Sequence, residues 1–292
     1  MLRAALLALA IPTALARPVA AQSSAAPEVL FRLDDIGVNH SVNLAIEKIG
    51  ATKMPISVSV LFACPWYQEA VEILRKNPQI TVGVHLALNS EWRGYRWGPV
   101  LGKGGVPSLV DSVGYLRPSV EDFLKSKYDL ADVERELSAQ IDRAMASGLK
   151  ITYVDGHMGT AMSTPELRAV VERLAKKYGL VISRSFAEDS WEDWGVAPAS
   201  KKSALLEHLA NAKRGQINLT VMHVAERTPE MEAMYDMNAA SQNVGGGVVA
   251  HRKAELESML SPELAELVRS GKIRLVTYAQ VATRPVRSAP LP

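Results

Sequence analysis

The sequence contains very little cysteine, since Cys64 is the only one among 292 residues. A single cysteine excludes an intrachain disulfide and any cysteine-rich zinc site. Neither sign of charge is in large excess, because the chain contains 33 lysines and arginines and 31 aspartates and glutamates. This balance argues against a nucleic-acid partner bound by bulk electrostatic attraction. No internal run of about 18 or more apolar residues occurs, so we expect no membrane span in the mature chain.

The first 21 residues have the pattern of a secretory signal peptide. Arg3 supplies a positive charge, Ala4–Ala16 form a short apolar stretch, and Val19-Ala20-Ala21 provide the small residues that precede a cleavage site. We expect cleavage after Ala21 and therefore an exported protein, either periplasmic or extracellular. A short membrane anchor is the alternative, but the apolar stretch is too short to span a bilayer comfortably.

Strand-like and helix-like segments alternate along the rest of the chain. The strand-like segments are Val29–Leu33, Ile56–Phe62, Ile80–Leu88, Ile151–Val154, Val181–Ser183, Asn218–Met222 and Ile273–Tyr278. The helix-like segments between them are 42–49, 67–74, 134–145, a helix beginning at Thr164-Pro165, 200–213 and 253–269. About seven β–α units predict an α/β fold with a parallel sheet and helices outside it. The length favours one closed or nearly closed barrel over two domains.

The chain accordingly divides into four parts. These are a signal peptide (1–21), a flexible lead-in (22–28), one barrel domain (29–283) and a loose, proline-rich C-terminal tail (284–292). No repeat and no linker divides the barrel domain.

Two connections, 89–129 and 225–251, are unusually long for a compact domain, and such connections are often functional or disordered. The first contains Trp92, Tyr95 and Trp97 among several glycines, a composition that suits stacking against a sugar ring. A lid packed on its own aromatic side chains is an equally good interpretation.

Acidic and histidine side chains stand at the ends of four predicted strands. They are Asp34-Asp35, His85, Asp155-Gly156-His157 and His223. Because the carboxyl ends of parallel strands share one face of a barrel, we expect these side chains to meet there. A carboxylate with two imidazoles is a common ligand set for a catalytic divalent metal. Taken singly, each has an ordinary alternative, such as a helix cap for Asp34 or a buried structural histidine for His85.

The same residues, in the same order, resemble the YdjC-like carbohydrate deacetylases, the group that includes chitooligosaccharide deacetylases. The matching blocks are Asp34-Asp35-Ile36-Gly37 with Val42-Asn43, Val82–Leu88, Pro107–Asp111, Gly114-Tyr115-Leu116 and Tyr153–His157. Met222-His223 stands where the family often has a histidine followed by Pro-Gly. The resemblance covers most of residues 29–281.

The resemblance implies a distorted (β/α) barrel of the polysaccharide deacetylase type. It also implies a metal-dependent hydrolase that removes an acetyl group from an N-acetylated amino sugar or oligosaccharide, with water activated by the metal attacking the amide. By position, the ligands of one divalent ion, zinc or magnesium by preference, would be Asp35, His85 and His157. Asp34 would be the general base and His223 the general acid. We expect Asp155 to orient a ligand imidazole by accepting a hydrogen bond from its free ring N–H.

Two departures from the family pattern leave other interpretations open. Met158, Gly159 and Ala161 follow His157 where the family often has further histidines, and Val224-Ala225 replaces Pro-Gly. A catalytically decayed carbohydrate-binding protein on the same scaffold is therefore one alternative. A metal hydrolase acting on another amide or ester is a second, and a secreted structural domain without a site is a third. The sequence specifies neither the sugar nor the oligomeric state.

Overall fold

The computed structural model describes residues 25–239 and 243–286. The expected signal peptide (1–21) lies outside the described residues, as do positions 22–24 of the lead-in and 287–292 of the tail. Within the described ranges, no helix is both long enough and apolar enough to cross a bilayer.

One parallel sheet forms the centre of the molecule. Its strands are β1 (Glu28–Ile36), β2 (Ser57–Val60), β3 (Thr81–Leu86), β4 (Ile151–Gly156), β5 (Val181–Ile182), β6 (Asp189–Trp191), β7 (Ile217–Met222) and β8 (Arg274–Leu275). Seven of them follow the order β5-β4-β3-β2-β1-β7-β6 and curl into a half-barrel, while β8 pairs with the first two residues of β1. This is the distorted α/β barrel with about seven parallel strands that the sequence predicts.

Helices cover the outside of the sheet. They are α1 (His40–Ala51), α2 (Tyr67–Arg75), α3 (Gly102–Gly105), α4 (Val120–Lys125), α5 (Leu130–Ala146), α6 (Pro165–Tyr178), α7 (Lys201–Ala210), α8 (Pro229–Glu232), α9 (Gly247–Met259), α10 (Pro262–Arg269) and α11 (Tyr278–Val281). As predicted, the Thr164 side chain caps α6 by accepting from the Leu167 amide, and Pro165 takes the first helical position.

The structure differs from the sequence prediction at two short strands and at one long predicted helix. Strand β6 was not predicted because it has only three residues and no apolar run. The single helix predicted over 253–269 is two helices, since Ser261 caps α10 and Pro262 begins it. The strand predicted over 273–278 stops at Leu275, because Thr277 forms a capping box that starts α11.

The long connection 89–129 is folded rather than open. It contains α3, α4 and a 3₁₀ turn at Pro107–Leu109, and an isolated bridge joins Trp92 to Asp236 of the second long connection. The two connections therefore interlock. They follow the carboxyl ends of β3 and β7, the edge of the sheet at which the candidate residues lie.

Candidate functional site

The end of β1 is irregular, and the irregularity brings two adjacent carboxylates to one place. Successive side chains of a regular strand point to opposite faces. Here the pairing of β1 with β2 shifts register between Leu33 and Ile36, and Asp35 has a left-handed backbone with φ of 65°. Such a backbone is strained for a residue other than glycine and persists only where the surroundings enforce it. Asp34 and Asp35 consequently both lie close enough to His85 to raise the pKa of its imidazole.

Asp35, His85 and His157 meet in a buried cluster. The Oδ1 atom of Asp35 lies 3.4 Å from Nε2 of His85 and 3.2 Å from Nδ1 of His157. The three side chains are only 3–4% exposed. Although it is buried, Oδ1 of Asp35 has no hydrogen-bond partner among the described residues.

This geometry fits a divalent metal. Ligand atoms about 2.0–2.1 Å from a tetrahedral zinc ion lie roughly 3.4 Å from one another, close to the two distances measured around Asp35. A buried carboxylate oxygen without a partner is also costly unless a cation or donor completes it. The structure therefore brings together the carboxylate and the two imidazoles that the sequence nominates, with Nε2 of His85 and Nδ1 of His157 facing the same oxygen.

The other nitrogen of each histidine faces a carboxylate. Nδ1 of His85 lies 3.1 Å from Oδ2 of Asp155. Nε2 of His157 donates to Oε2 of Glu91 at 2.9 Å. Metal-binding histidines are typically oriented by such a partner, which fixes the tautomer. Asp155 lies beside the outer nitrogen of His85, but that nitrogen has no hydrogen-bond partner among the described residues, so the orienting role of Asp155 stays a prediction. The sequence did not indicate Glu91, because a single glutamate in a loop carries no pattern.

Arg32 joins Asp34 to Asp155. Its guanidinium donates to both oxygens of Asp34 at 2.8 and 2.6 Å, and to Oδ1 of Asp155 at 2.9 Å. Asp34, His85 and Asp155 also lie close enough to form a second ligand set, but Arg32 already donates to both oxygens of Asp34 and to Oδ1 of Asp155. Oδ1 of Asp35, in contrast, has no hydrogen-bond partner among the described residues. The first set is therefore the better metal site. Arg32 was missed, although its place two residues before Asp34 puts both on one face of β1.

The charges of the cluster hold Asp35 ionised and favour cationic imidazoles. Burial alone would raise the pKa of Asp35, but Arg252 and the two histidines outweigh it and keep that pKa well below its usual range. Burial would lower the pKa of both imidazoles. Asp34 and Asp155 nevertheless raise the pKa of His85 to about 9, and Glu91 and Asp35 raise that of His157. A metal that binds these nitrogens must displace their protons.

Arg252 is a further group that the sequence did not indicate. It comes from α9 and donates from Nη2 to Oδ2 of Asp35 at 2.6 Å. The guanidinium also lies over Trp92, with Cζ 5.0 Å from the ring centroid. One oxygen of Asp35 thus faces the histidines while the other is bound by Arg252.

His223 follows β7 near the same cluster. Burial lowers its pKa to about 4, although Asp35 favours the charged ring. Its ring packs against that of Trp194 with centroids 4.4 Å apart, and its backbone N–H donates to Oε2 of Glu255 at 2.5 Å. The imidazole is therefore neutral near pH 7. Its role as general acid stays a prediction.

The three aromatic residues of the first long connection lie in different environments. Trp92 is only 2% exposed, and the Arg252 guanidinium lies over its ring. Tyr95 and Trp97 line a cavity of about 250 Å³ together with Ala63, Cys64, Pro65, Arg96 and Gly98. Trp97 also lies 5.8 Å from the His157 ring, centroid to centroid, so this cavity adjoins the cluster of Asp35, His85 and His157. Contact of these aromatics with substrate stays a prediction.

Known proteins show the same architecture. The family model described as YdjC-like protein matches residues 28–270. A carbohydrate deacetylase of Brevibacillus brevis is 24% identical over 257 residues, which is 87% of this chain and 99% of that protein. Carbohydrate deacetylase 1 of Listeria innocua is 31% identical over 160 residues, 54% of this chain and 60% of the relative.

Among solved structures, a similar one is that of an Enterococcus faecalis V583 protein proposed to cleave cellobiose phosphate. The TM-score is 0.70 at 23% sequence identity, over 88% of this chain and 99% of that chain, which shows a shared fold. The family match extends from the first residue of β1 through α10 and includes all five residues nominated as ligands or catalytic groups. The chain therefore belongs to the YdjC-like protein family.

Proposed function

We propose that this protein is a metal-dependent carbohydrate deacetylase that hydrolyses the acetamide of an N-acetylated amino sugar or oligosaccharide to acetate and a free amine. The observation that carries the proposal is the buried meeting of Asp35, His85 and His157 around one carboxylate oxygen that has no hydrogen-bond partner within residues 25–239 and 243–286. Asp34 stands beside this cluster as a second carboxylate. The family relatives named carbohydrate deacetylase support the substrate class.

The ligand set has a chemical purpose in amide hydrolysis. A divalent metal held by these three residues would polarise the acetamide carbonyl and lower the pKa of water from 15.7 to about 7. Asp34 accepts the proton of the attacking water, and general base catalysis of this kind contributes typically ~10²–10⁴-fold. Arg32 holds that carboxylate in a fixed orientation, so little reorganisation is needed during the reaction.

The departing amine needs a proton, and His223 is the group we assign to deliver it. It follows β7, the strand paired with β1 on the side away from β2, so it approaches the cluster from the side opposite His85. Near pH 7 the ring is neutral, so it must gain a proton before it can act as the acid. The proton that Asp34 takes from the attacking water supplies it, and His223 then delivers that proton to the leaving nitrogen as the imidazolium. The sugar occupies the cavity lined by Tyr95 and Trp97 beside His157. We also propose that the chain is exported, as residues 1–21 predict.

The direct test is acetate release from N-acetylglucosamine and its short oligomers by the purified, metal-loaded protein. We expect release by the wild type and a loss of about 10²–10⁴-fold in kcat for Asp34→Asn with metal still bound. Asp142→Asn changes an exposed aspartate of α5 and serves as the matched control. Glycan binding without acetate release by the wild type would instead support a decayed scaffold. Full activity of Asp34→Asn would show that Asp34 is not the general base.

A further inference from the structure

Helix α9 contacts two parts of the candidate site, Asp35 through Arg252 and His223 through Glu255. Arg252 and Glu255 lie three residues apart on this helix, so they project from the same side of it. Both are buried, with 4% and 2% of their surface exposed. The carbonyl of Arg252 also accepts from the Ala225 amide, which ties the helix to the chain just after His223.

Arg252 determines which oxygen of Asp35 is available. Its Nη2 atom binds Oδ2 at 2.6 Å, and Oδ1 is left facing His85 and His157 without a hydrogen-bond partner in the part of the chain that the structure describes. A carboxylate held in this way offers one oxygen rather than two to a metal. The left-handed backbone at Asp35 adds a reason for an external restraint, because a strained residue needs surrounding contacts to stay in place.

Glu255 makes the corresponding contact on the other part of the site. Its Oε2 atom accepts the backbone N–H of His223 at 2.5 Å, and its Oε1 atom accepts from Nζ of Lys201 at 2.8 Å. Lys201 is completely buried and also donates to Oδ1 of Asp193 at 2.7 Å. Asp193 directly precedes Trp194, whose ring packs on His223. The backbone N–H of His223 is thus held by a buried ion cluster, and one member of that cluster, Asp193, directly precedes the tryptophan that packs against the His223 ring.

We propose that Arg252 and Glu255 are positioning residues, through which α9 orients the Asp35 carboxylate toward the metal and fixes the place of His223. Neither side chain contacts the reacting atoms in this account. Buried ion pairs are expensive to form, and apolar residues of similar volume often give equal stability. Fold stability alone is therefore a weak explanation for burying both Arg252 and Glu255 one helical turn apart. The Glu255 half rests on the proposed function, whereas the Arg252 half requires only that the cluster binds metal.

The Arg252 half is tested by metal affinity, measured by calorimetry with zinc and no substrate. Arg252→Met removes both the charge and the donor, and we expect affinity to fall by about 10- to 100-fold. Arg252→Lys keeps a charged donor and should recover part of the loss. Arg269→Met removes an exposed arginine and should leave affinity unchanged. If Arg252→Met binds zinc as tightly as the wild type or more tightly, charge repulsion dominates and orientation by Arg252 is refuted.

The Glu255 half is tested by dependence on the leaving group. Glu255→Gln leaves one acceptor oxygen where Glu255 offers two, so either the His223 N–H or Nζ of Lys201 loses its hydrogen bond to residue 255, while Lys201 keeps its bond to Asp193. We expect kcat for the acetamide substrate to fall on the order of 10- to 100-fold with KM little changed. Hydrolysis of 4-nitrophenyl acetate should be unaffected, because its leaving group needs no proton. Glu257→Gln, an exposed change on the same helix, is the matched control.

The outcomes separate this inference from the proposed function. An equal loss with both substrates would mean that Glu255 acts only through general stability, and would overturn its positioning role. If the wild type releases no acetate, the proposed function fails, and the imidazole NMR resonances of His223 then test the inference alone. A shift of those resonances in Glu255→Gln supports positioning, and unchanged resonances refute it. Should Glu255→Gln fail to fold, Lys201→Met tests the same restraint by removing the cation that holds Glu255 at Oε1, and the same pair of results decides.

Discussion

Arg32 holds Asp34 through two parallel hydrogen bonds, from Nε to Oδ1 at 2.8 Å and from Nη2 to Oδ2 at 2.6 Å. The remaining amino group, Nη1, binds Asp155 at 2.9 Å and Ser183 at 2.7 Å. One buried cation therefore fixes two carboxylates on either side of His85. Charge-assisted bidentate pairs of this kind are strong and directional. The carboxylate assigned as base is held in place before any substrate arrives.

Removal of Arg32 should destabilise the fold. Arg32→Met leaves Asp34 and Asp155 as buried charges without their shared partner, and breaking a buried pair from one side costs about 3–5 kcal/mol in the free energy of unfolding. Urea denaturation followed by circular dichroism measures the change. Arg173→Met, which breaks an exposed pair with Glu134, serves as the control and should alter stability little. A stability of Arg32→Met equal to that of the wild type would contradict this account of the cluster.

Glu91 should affect metal affinity rather than stability. It accepts from Nε2 of His157, so Glu91→Gln weakens the restraint on the ring that offers Nδ1 to the metal. We expect zinc affinity to fall by about 10- to 100-fold. Glu69→Gln disturbs a half-exposed glutamate–histidine pair with His40 and provides a matched control. Equal affinities for Glu91→Gln and Glu69→Gln would show that Glu91 does not orient a ligand.

His223 should make stability depend on pH in a defined window. Its folded pKa of about 4 lies below the ordinary value of 6.5, so between these values the unfolded chain binds a proton that the folded chain does not. Stability from this group is present above pH 6.5 and is lost as the pH falls through 4. His223→Gln should flatten this part of the profile, measured as the free energy of unfolding at pH 4.5 and pH 7. Identical slopes for both proteins would mean that His223 titrates normally.

The N-terminus gives a prediction that is independent of the site. Cleavage after Ala21 should leave a mature chain that begins at Gln22 when the full sequence is expressed in a bacterium with a secretion system. Mass spectrometry of the exported protein measures this directly. A change of Ala21 to a bulky residue, Ala21→Phe, should block cleavage and retain the precursor. Recovery of the uncleaved wild-type chain from the cytoplasm would contradict the prediction.

The sequence predicted the fold well where patterns were local. Apolar runs of β1, β3, β4 and β7 indicated a parallel sheet, and Thr164-Pro165 indicated the start of α6. Strand β6 has only three residues, so no periodicity exists in it to detect. The helical spacing over 253–269 predicts one helix, whereas Ser261 and Pro262 form a cap and a first position that start a second one.

The residues of the candidate site could likewise be predicted only where a local pattern marks them. Asp35, His85 and His157 were nominated together because they stand at strand ends, and strand ends converge in a parallel sheet. Glu91, Arg252 and Glu255 come from a loop and from a helix far along the chain, and nothing local relates them to the strand ends. The left-handed backbone of Asp35 was likewise unforeseen, since it depends on its tertiary surroundings.

The burial of Trp92 could not be read from its loop. A tryptophan among glycines fits an open stacking surface and a packed lid equally well, and only the position of Arg252 over its ring separates the two. Tyr95 and Trp97 come from the same loop, yet both line the cavity beside His157. Composition therefore identified the loop but not which of its aromatic side chains line the cavity.

The measurement that tests the central claim most directly is zinc binding by isothermal titration, comparing the wild type with Asp35→Ala. The account predicts one equivalent of divalent metal per wild-type chain, with protons released on binding because His85 and His157 must become neutral. It predicts no tight binding by Asp35→Ala that remains folded by circular dichroism. Absence of binding to the wild type with zinc, nickel or magnesium at neutral pH, or undiminished binding to Asp35→Ala, would contradict the metal site and the mechanism built on it.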